Sequence, residues 1–290
     1  MKLLAYMADN ETAKVGMIVQ DGVLDVSSCA KEAGIDGDFS SIKQILTDGS
    51  IAKLTKLLAW VKENNWKDYF DLDTLTLLAP IPDPEKILGV SINYYDACER
   101  SNIPIPEVLK IFGKYPPSVN HPNGIVELYG HTVTYEGELG VIIGKLCKKV
   151  PASRALDYVA GYTIVNDVSA SDCAKLDIQL LRCKSHDGFL PMGPVFITTD
   201  EIPEPNNLRI KTTVNDEIVQ DSTTARMIFS IPRLIEYFSA FMTLKPGDII
   251  ATGTPAGTAK HFDPPKFLKP GDKVKITIEK IGSLENHFVK

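Results

Sequence analysis

The sequence predicts an α+β protein that is mainly β: a small N-terminal α+β domain over residues 1–78 and a strand-rich domain over residues 79–290. Three observations predict this organisation. After residue 126 most apolar stretches are short and bounded by Gly, Asn, Asp or Pro, which is typical of strands. Helical periodicity is concentrated before residue 65. Between the two regions, the prolines of LLAPIPDPEK are typical of a linker.

In the N-terminal region, MKLLAYMAD and KVGMIVQDGVLDVS predict short strands with a turn at QDG. The stretch SIKQILTDGSIAKLTKLLAWVKENN carries apolar residues at helical spacing. Its DG pair interrupts that pattern, so we expect two helices rather than one.

The strand-rich domain opens with KILGVSI, an apolar run that predicts a buried strand. Residues 93–126 are rich in proline and predict a long irregular loop with few elements, which in a compact domain is often functional. One helix is predicted at Ile231–Phe241, before a Pro-Gly turn. Further strands are predicted in VTYEGELGVIIGKLC, GYTIVNDVS, GPVFITTDEI, LRIKTTVNDEIVQDS, DIIATGT and DKVKITIEKIGSLENHFV.

Composition excludes several classes of protein. The formal net charge of -6 argues against a general nucleic-acid binder, which normally carries a basic patch. The five cysteines show no C-x-x-C spacing, which predicts reduced thiols in a cytoplasmic protein. The N-terminus turns polar after seven residues, too early for a signal peptide, and no window approaches the roughly 18 apolar residues of a membrane span. We therefore expect no nucleic-acid or membrane partner.

Two carboxylates stand out in the apolar stretch YEGELGVII. In a strand, Glu136 and Glu138 point to the same face, and two buried like charges need compensation. Asp167 follows another apolar strand and supplies a third carboxylate. Carboxylate oxygens suit Mg²⁺ or Mn²⁺, and such an ion could polarise a carbonyl or activate water. The alternative is a solvated strand face, with Asp167 in a turn or cap.

Four motifs occur in an order that resembles the fumarylacetoacetate hydrolase superfamily: YEGELGVIIGK, GYTIVNDVSASD, KSHDGFLPMGP and ATGTPAGT. The resemblance extends from Lys86 to the C-terminus, and the N-terminal region is similar to that of many bacterial members. It implies a mixed β-sandwich roll for the catalytic domain and a homodimer. It also implies that the substrate is a small oxo-acid or diketone.

The resemblance also assigns roles to individual residues. It implies that Glu136, Glu138 and Asp167 are Mg²⁺ or Mn²⁺ ligands. Lys184, in CKSHD, matches the active-site lysine that holds substrate oxygens, and Lys114, in FGKYPPS, matches a second lysine of bacterial members. The alternative for either lysine is a solvated surface position.

Further resemblance concerns substrate binding. Thr254 matches the threonine of a glycine-rich substrate-binding loop, and we place Gly253 of the same loop and Tyr94 of INYYD in the substrate-binding set. The glycines could equally form only a tight turn.

The sequence departs from hydrolytic members at two places. They carry a His and, three residues later, a Glu that activate water, whereas NYYDACER has Ala97 and Arg100 there. They also carry an Arg and a Gln after the metal aspartate, whereas SASDCA has Ser171 and Ala174. Arg182, or Arg100 itself, is a candidate for the missing substrate-binding cation.

Three functions remain open at this stage. The first is hydrolysis of a C–C bond in a β-diketo or acylpyruvate-type acid, with His121 as the relocated base, His186 next, and a Cys98 nucleophile possible. The second is metal-dependent decarboxylation, lyase chemistry or tautomerisation of a small oxo-acid, which needs chiefly an electron sink. The third is a catalytically inactive homologue that binds a ligand.

Overall fold

The computed structural model describes residues 1–9, 12–20, 22–177 and 179–290. The strands are β1 (Lys2–Asp9), β2 (Thr12–Val19), β3 (Gly22–Asp25), β4 (Thr76–Leu78), β5 (Ile87–Ser91), β6 (Lys110–Lys114), β7 (Val119–Asn120), β8 (Ile125–Glu127), β9 (Val133–Thr134), β10 (Gly137–Ile143), β11 (Val159–Asn166), β12 (Ser169–Ala170), β13 (Leu190–Thr198), β14 (Arg209–Val214), β15 (Glu217–Thr223), β16 (Ile249–Ala251), β17 (Lys273–Ile278) and β18 (Gly282–Val289). The α-helices are α1 (Val26–Glu32), α2 (Ile42–Thr47), α3 (Ile51–Glu63), α4 (Tyr95–Ser101), α5 (Ser171–Ala174), α6 (Leu181–Lys184) and α7 (Ile231–Phe241). No described helix has the length and apolar character needed to cross a bilayer.

Most strands form two facing sheets. The larger sheet has the order β3-β2-β1-β13-β11-β10-β16-β5-β6, with β4 beside β1 and β7 beside β13. The smaller has the order β15-β14-β17-β18-β8 and packs on the first through β14, β17 and β18. Strands β16 and β5 are parallel, whereas β10 pairs antiparallel with both β11 and β16. The predicted mainly-β, mixed sandwich architecture is confirmed.

The N-terminal strands extend the larger sheet, because β1 pairs with β13 at Lys2↔Ile197. Helices α2 and α3 bury apolar side chains such as Ile45 and Leu54 in a core that also contains Phe196 of β13. Sheet and core therefore run across residue 78, and the division into two domains at that point stays a prediction.

Several predicted elements are confirmed. The DG pair separates α2 from α3, and α7 covers the predicted Ile231–Phe241. Strands β2 and β3 pair as predicted, but Asp21 of the expected turn lies outside the described residues.

The prediction of a long irregular loop over residues 93–126 is wrong in part. Helix α4 lies there and is capped at its C-terminus by Asn102, whose φ of 50° is left-handed. Strand β6 also lies there, as the edge strand beside β5. The sequence hid both elements, because a seven-residue helix is too short for clear periodicity and an edge strand that is largely exposed shows little apolar alternation.

Candidate metal centre and substrate cavity

Three carboxylates meet where β10 begins and β11 ends. The two strands are antiparallel, with Gly137 opposite Asn166, so residues flanking this pair become neighbours. The Asp167 amide donates to the Glu136 carbonyl at 2.9 Å, and the Glu136 amide donates to Oδ1 of Asn166 at 3.0 Å. One carboxylate oxygen each from Glu136, Glu138 and Asp167 lies within 4.8 Å of the others.

Two buried lysines flank these acids. Nζ of Lys114, at the end of β6, lies 2.7 Å from Oδ1 of Asp167 and donates to the Phe189 carbonyl at 2.9 Å. Nζ of Lys184, at the end of α6, lies 2.8 Å from Oε2 of Glu136 and also donates to Oδ2 of Asp167. Asp167 therefore has an ammonium group on each oxygen.

The acids differ in how well their charge is compensated. Burial opposes ionisation of Asp167, but the charges of Lys114 and Lys184 hold its pKa below the ordinary value. Burial, and then the charges of Asp167 and Glu136, raise the pKa of Glu138 well above the ordinary value. Despite its own burial, Lys184 has a raised pKa because of Asp167 and Glu136. Burial also raises the pKa of Glu136 and lowers that of Lys114. Among the three acids, Glu138 is the one that no described lysine pairs with.

A hard divalent cation fits this set of donors. Three carboxylates and two ammonium groups give the cluster a formal charge of -1, which a divalent cation would reverse to +1. Such an ion would compensate Glu138, which otherwise receives one hydrogen bond from the described residues, from the Gly253 amide at 2.8 Å. The buried triad thus supports a divalent metal site.

The glycine-rich loop after β16 holds this ligand. Gly253 has a φ of +96°, and a Cβ there would lie 2.7 Å from Cβ of Asn93, so a side chain would be strained and crowded. Oγ1 of the next residue, Thr254, donates to the Gly137 carbonyl at 2.9 Å. The loop therefore fixes Glu138 through Gly253 and presents Thr254 to the cavity described next.

A cavity of about 240 Å³ opens beside the acids. Residues of helix α4 and of the 258–261 turn, which includes the exposed Lys260, line the part of the cavity that we call outer. Its size is below the roughly 300–1,000 Å³ of pockets for drug-sized ligands, which favours a small metabolite. Its lining includes Glu136, Lys184, Thr254, Ser171, Lys260 and His261.

Other predicted residues lie outside this lining. His121 Nδ1 accepts from the Ala79 amide at 3.0 Å. Arg182 is exposed and pairs with Asp177, with Nε 2.7 Å from Oδ2. Tyr94 is fully buried, and its hydroxyl has no hydrogen-bond partner among the described residues. These placements give a base at His121 and a substrate cation at Arg182 no geometric support.

The second candidate base, His186, and the candidate nucleophile, Cys98, also lie outside the cavity lining. The His186 ring stacks on Tyr129 with ring centroids 4.0 Å apart, and Cys98 is buried in α4. Burial, followed by the charges of Asp96 and Glu99, raises the pKa of the Cys98 thiol, which disfavours a thiolate nucleophile.

Sequence reasoning missed His261, which lines the cavity. Its Nδ1 accepts from the Gly257 and Thr258 amides at 3.0 and 3.1 Å, so we assign the ring proton to Nε2. Nε2 lies 2.7 Å from Oγ of Ser101 and donates to it. Burial, then the charge of Arg100, lowers the pKa of His261, so the ring is neutral near pH 7. The one sequence signal was its position shortly after TGTPAG.

A family model described as the fumarylacetoacetate (FAA) hydrolase C-terminal domain matches residues 86–289. The chain belongs to the fumarylacetoacetate hydrolase family. Among its family relatives is the oxaloacetate tautomerase YisK of Bacillus subtilis (strain 168), which is 41% identical over 287 residues, covering 94% of this chain and 95% of the relative.

Solved structures of the fumarylacetoacetate hydrolase family share the fold. A fumarylacetoacetate hydrolase from psychrophilic Exiguobacterium antarcticum is 31% identical with a TM-score of 0.83, covering 100% of this chain and 99% of that one. A maleylpyruvate hydrolase from Sphingobium sp. SYK-6, in complex with manganese(II) and pyruvate, is 26% identical with a TM-score of 0.80 and the same coverage. The manganese-bound relative and the buried triad together support a divalent metal.

The positions at which the sequence departs from hydrolytic members of the family lie in or beside the cavity. Ala97, Ser171 and Ala174 all line the cavity. Nε of Arg100 donates to the His261 carbonyl at 3.2 Å, and its guanidinium lies 4.8 Å from the centre of the Phe262 ring. Small side chains therefore face the cavity, and Arg100 is engaged with the turn beside it.

Proposed function

We propose that this protein is a divalent-metal-dependent tautomerase that interconverts the keto and enol forms of a small 2-oxo dicarboxylic acid of the oxaloacetate type. One observation carries the proposal. Of the described residues that line the cavity, His261 is the one imidazole, and hydrogen bonds occupy both of its nitrogens. The cavity therefore adjoins a site for an electron-withdrawing cation and, among its described residues, offers no imidazole free to act as a general base.

Hydrolysis and tautomerisation make different demands on such a site. Hydrolysis of a C–C bond needs an activated water molecule, and a positioned base normally takes the proton of that water as it attacks. Tautomerisation moves one proton from C3 to the oxygen on C2, consumes no water and releases no fragment. The C3 hydrogens of oxaloacetate lie between two carbonyl groups and are already acidic, so a weak base such as water suffices.

The residues of the chain can be assigned to this reaction. A divalent cation at Glu136, Glu138 and Asp167 would supply Lewis-acid polarisation of a substrate carbonyl. Lys184 lines the cavity and keeps its charge, so its ammonium group attracts the substrate and stabilises negative charge that develops on oxygen. Thr254 borders the same space, but its hydroxyl donates to the Gly137 carbonyl and accepts from Nε2 of Gln220 at 2.8 Å, so its part is to shape the cavity wall against the substrate.

The relatives support this choice within the family. The relative that is 41% identical along nearly the whole chain is named an oxaloacetate tautomerase. The maleylpyruvate hydrolase, at 26% identity, supports the substrate class of small oxo-acids and keeps hydrolysis as the second candidate. Hydrolysis is the reaction that the sequence favours first, but here it would need a base that the described cavity residues do not offer.

The test measures the keto–enol interconversion of oxaloacetate by the purified protein in the presence of Mg²⁺ or Mn²⁺. We expect faster loss of the enol absorbance and, in D₂O, faster exchange of the C3 hydrogens seen by NMR, without carbon dioxide release above the uncatalysed rate. Glu138→Gln, which removes a ligand charge, serves as the inactive comparison.

Other outcomes would replace the proposal. Carbon dioxide released in step with turnover would assign a decarboxylase, and two fragments from an acylpyruvate would assign a hydrolase. Metal binding without turnover of any oxo-acid would favour the ligand-binding homologue. The homodimer and the cytoplasmic location stay predictions.

A further inference from the structure

We infer that Lys260 is a specificity-determining residue that binds the second carboxylate of a 2-oxo dicarboxylic acid. The inference rests on the proposed function and names the part of the chain that selects a dicarboxylic over a monocarboxylic substrate. It assigns the carboxylate next to the keto group to the divalent cation that the acid cluster would hold, with Lys184 beside it, and the distant carboxylate to Lys260.

The cavity contains two lysines in different electrostatic states. Lys184 is buried, and its ammonium group is already paired with Glu136 and Asp167. Lys260 is exposed, and no described carboxylate lies within 4.0 Å of its Nζ. The outer part of the cavity therefore carries an uncompensated positive charge, while the inner part carries the compensated cluster.

The cavity lining carries little negative charge that would repel an incoming anion or pair with Lys260 in its place. Among the described residues of the cavity, Glu136 is the one carboxylate, and its Oε2 is paired with Lys184. A second carboxylate of the substrate is therefore the partner that Lys260 lacks. Ser101, which also borders the cavity, accepts from Nε2 of His261 and keeps a hydroxyl proton that can be donated to the same carboxylate.

The turn that carries Lys260 is held firmly on both sides. The preceding Ala259 is fully buried, its amide donates to Oγ1 of Thr134 at 3.1 Å, and its carbonyl accepts from the Lys266 amide at 2.9 Å. The following His261 is fixed through Nδ1, as described above. A rigid backbone lowers the entropic cost of holding a charged side chain at one place in the cavity.

Two 2-oxo acids of equal chain length distinguish recognition of the second carboxylate by Lys260 from binding of any 2-oxo acid. 2-Oxoglutarate carries a second carboxylate where 2-oxopentanoate carries a methyl group. We would titrate each acid into Mn²⁺-loaded protein by calorimetry, so that the readout is affinity and not turnover. The proteins are wild type, Lys260→Met, Lys260→Arg and the control Lys269→Met, which removes an exposed lysine outside the cavity lining.

Lys260→Met is expected to weaken 2-oxoglutarate binding by about five- to ten-fold, the range for a charged hydrogen bond at a partly exposed site. The same variant should leave 2-oxopentanoate unchanged, Lys260→Arg should retain most of the affinity for the diacid, and Lys269→Met should behave as wild type.

Equal effects of Lys260→Met on both acids, or none on either, would overturn the role of Lys260 and leave the proposed function standing. Failure of Mn²⁺-loaded wild type to bind either acid would overturn both, because the oxo-acid site itself would then be wrong.

Discussion

The cavity lies between two regions that are held together in different ways, one by buried ion pairs and the other by hydrogen bonds of a short helix and a turn. The acid–lysine cluster, made of Glu136, Glu138, Asp167, Lys114 and Lys184, is largely buried and densely ion-paired. Its geometry follows from the pairing of β10 with β11, so its positions are fixed by the centre of the larger sheet.

The outer wall, made of Ala97, Arg100, Ser101, Lys260 and His261, is different. It comes from a seven-residue helix and a turn. It is held by the hydrogen bond between His261 and Ser101 and by Arg100, which donates to the His261 carbonyl and lies over an aromatic ring. We propose a division of labour between them. With a divalent cation bound, the cluster would supply the electron sink common to many oxo-acid reactions, whereas the wall would decide which proton moves and which substrate fits.

The largest expected effect is on the stability of the cluster. Lys114→Met keeps the length of the side chain but removes a fully buried cation 2.7 Å from Asp167. Because a buried carboxylate loses one of its two ammonium partners, we expect the free energy of unfolding to fall by about 3 kcal/mol. Chemical denaturation of metal-free protein measures this loss.

The matched control is Lys110→Met, an exposed lysine on the same strand. It should change the free energy of unfolding by less than about 0.5 kcal/mol. Equal losses in the two variants would show that β6 tolerates neither substitution and that the buried ion pair has no special weight.

The second effect concerns the metal. Glu138→Gln removes the carboxylate that the lysines leave uncompensated, so Mn²⁺ affinity should fall by about 100-fold or more, beyond the 10- to 100-fold typical of outer-shell partners. Calorimetric titration measures it. Glu127→Gln, an exposed acid on β8, should bind like wild type. A wild type that binds no divalent ion would contradict the metal site.

The difference between the regions also explains what the sequence could predict. The two glutamates follow from strand periodicity, because residues at i and i+2 share a face, and Asp167 follows from its place after an apolar strand. The cluster lysines came from the family resemblance. Lys260 and His261 could not be found, because their place depends on contacts between segments far apart in the chain, such as Ala259 with Thr134. Strand periodicity also does not predict that His121 and Arg182 lie outside the cavity lining, which depends on contacts of the same kind.

The third effect is a pH dependence of metal-free protein. The pKa of Glu138 is raised in the folded state, so folded protein holds this proton more tightly than the unfolded chain does. The stability that results is present below the ordinary glutamate pKa of about 4.3 and is lost as pH rises through the folded value.

Glu138→Gln cannot lose a proton, so the free energy of unfolding of wild type should fall relative to this variant as pH rises above about 4.5. Saturating Mn²⁺ should remove the fall in wild type. Denaturation series at several pH values measure the difference. Parallel curves for the two metal-free proteins would show that the charge of Glu138 is compensated by other means.

The smallest expected effect tests whether the wall decides the reaction. Ala97 lines the cavity and Arg100 lies one helical turn further along α4, so Ala97→His with Arg100→Glu would place an imidazole and a carboxylate on one helix face. A well-positioned base contributes about 10²–10⁴-fold, and a transplanted pair without its supporting contacts should give about ten-fold faster acylpyruvate hydrolysis than wild type. Product analysis by chromatography measures the two fragments.

Each single variant should show no gain in acylpyruvate hydrolysis, because the imidazole needs the carboxylate to orient it. If the double variant folds, binds Mn²⁺ and still hydrolyses nothing, the choice of reaction resides in the acid–lysine cluster and not in the wall.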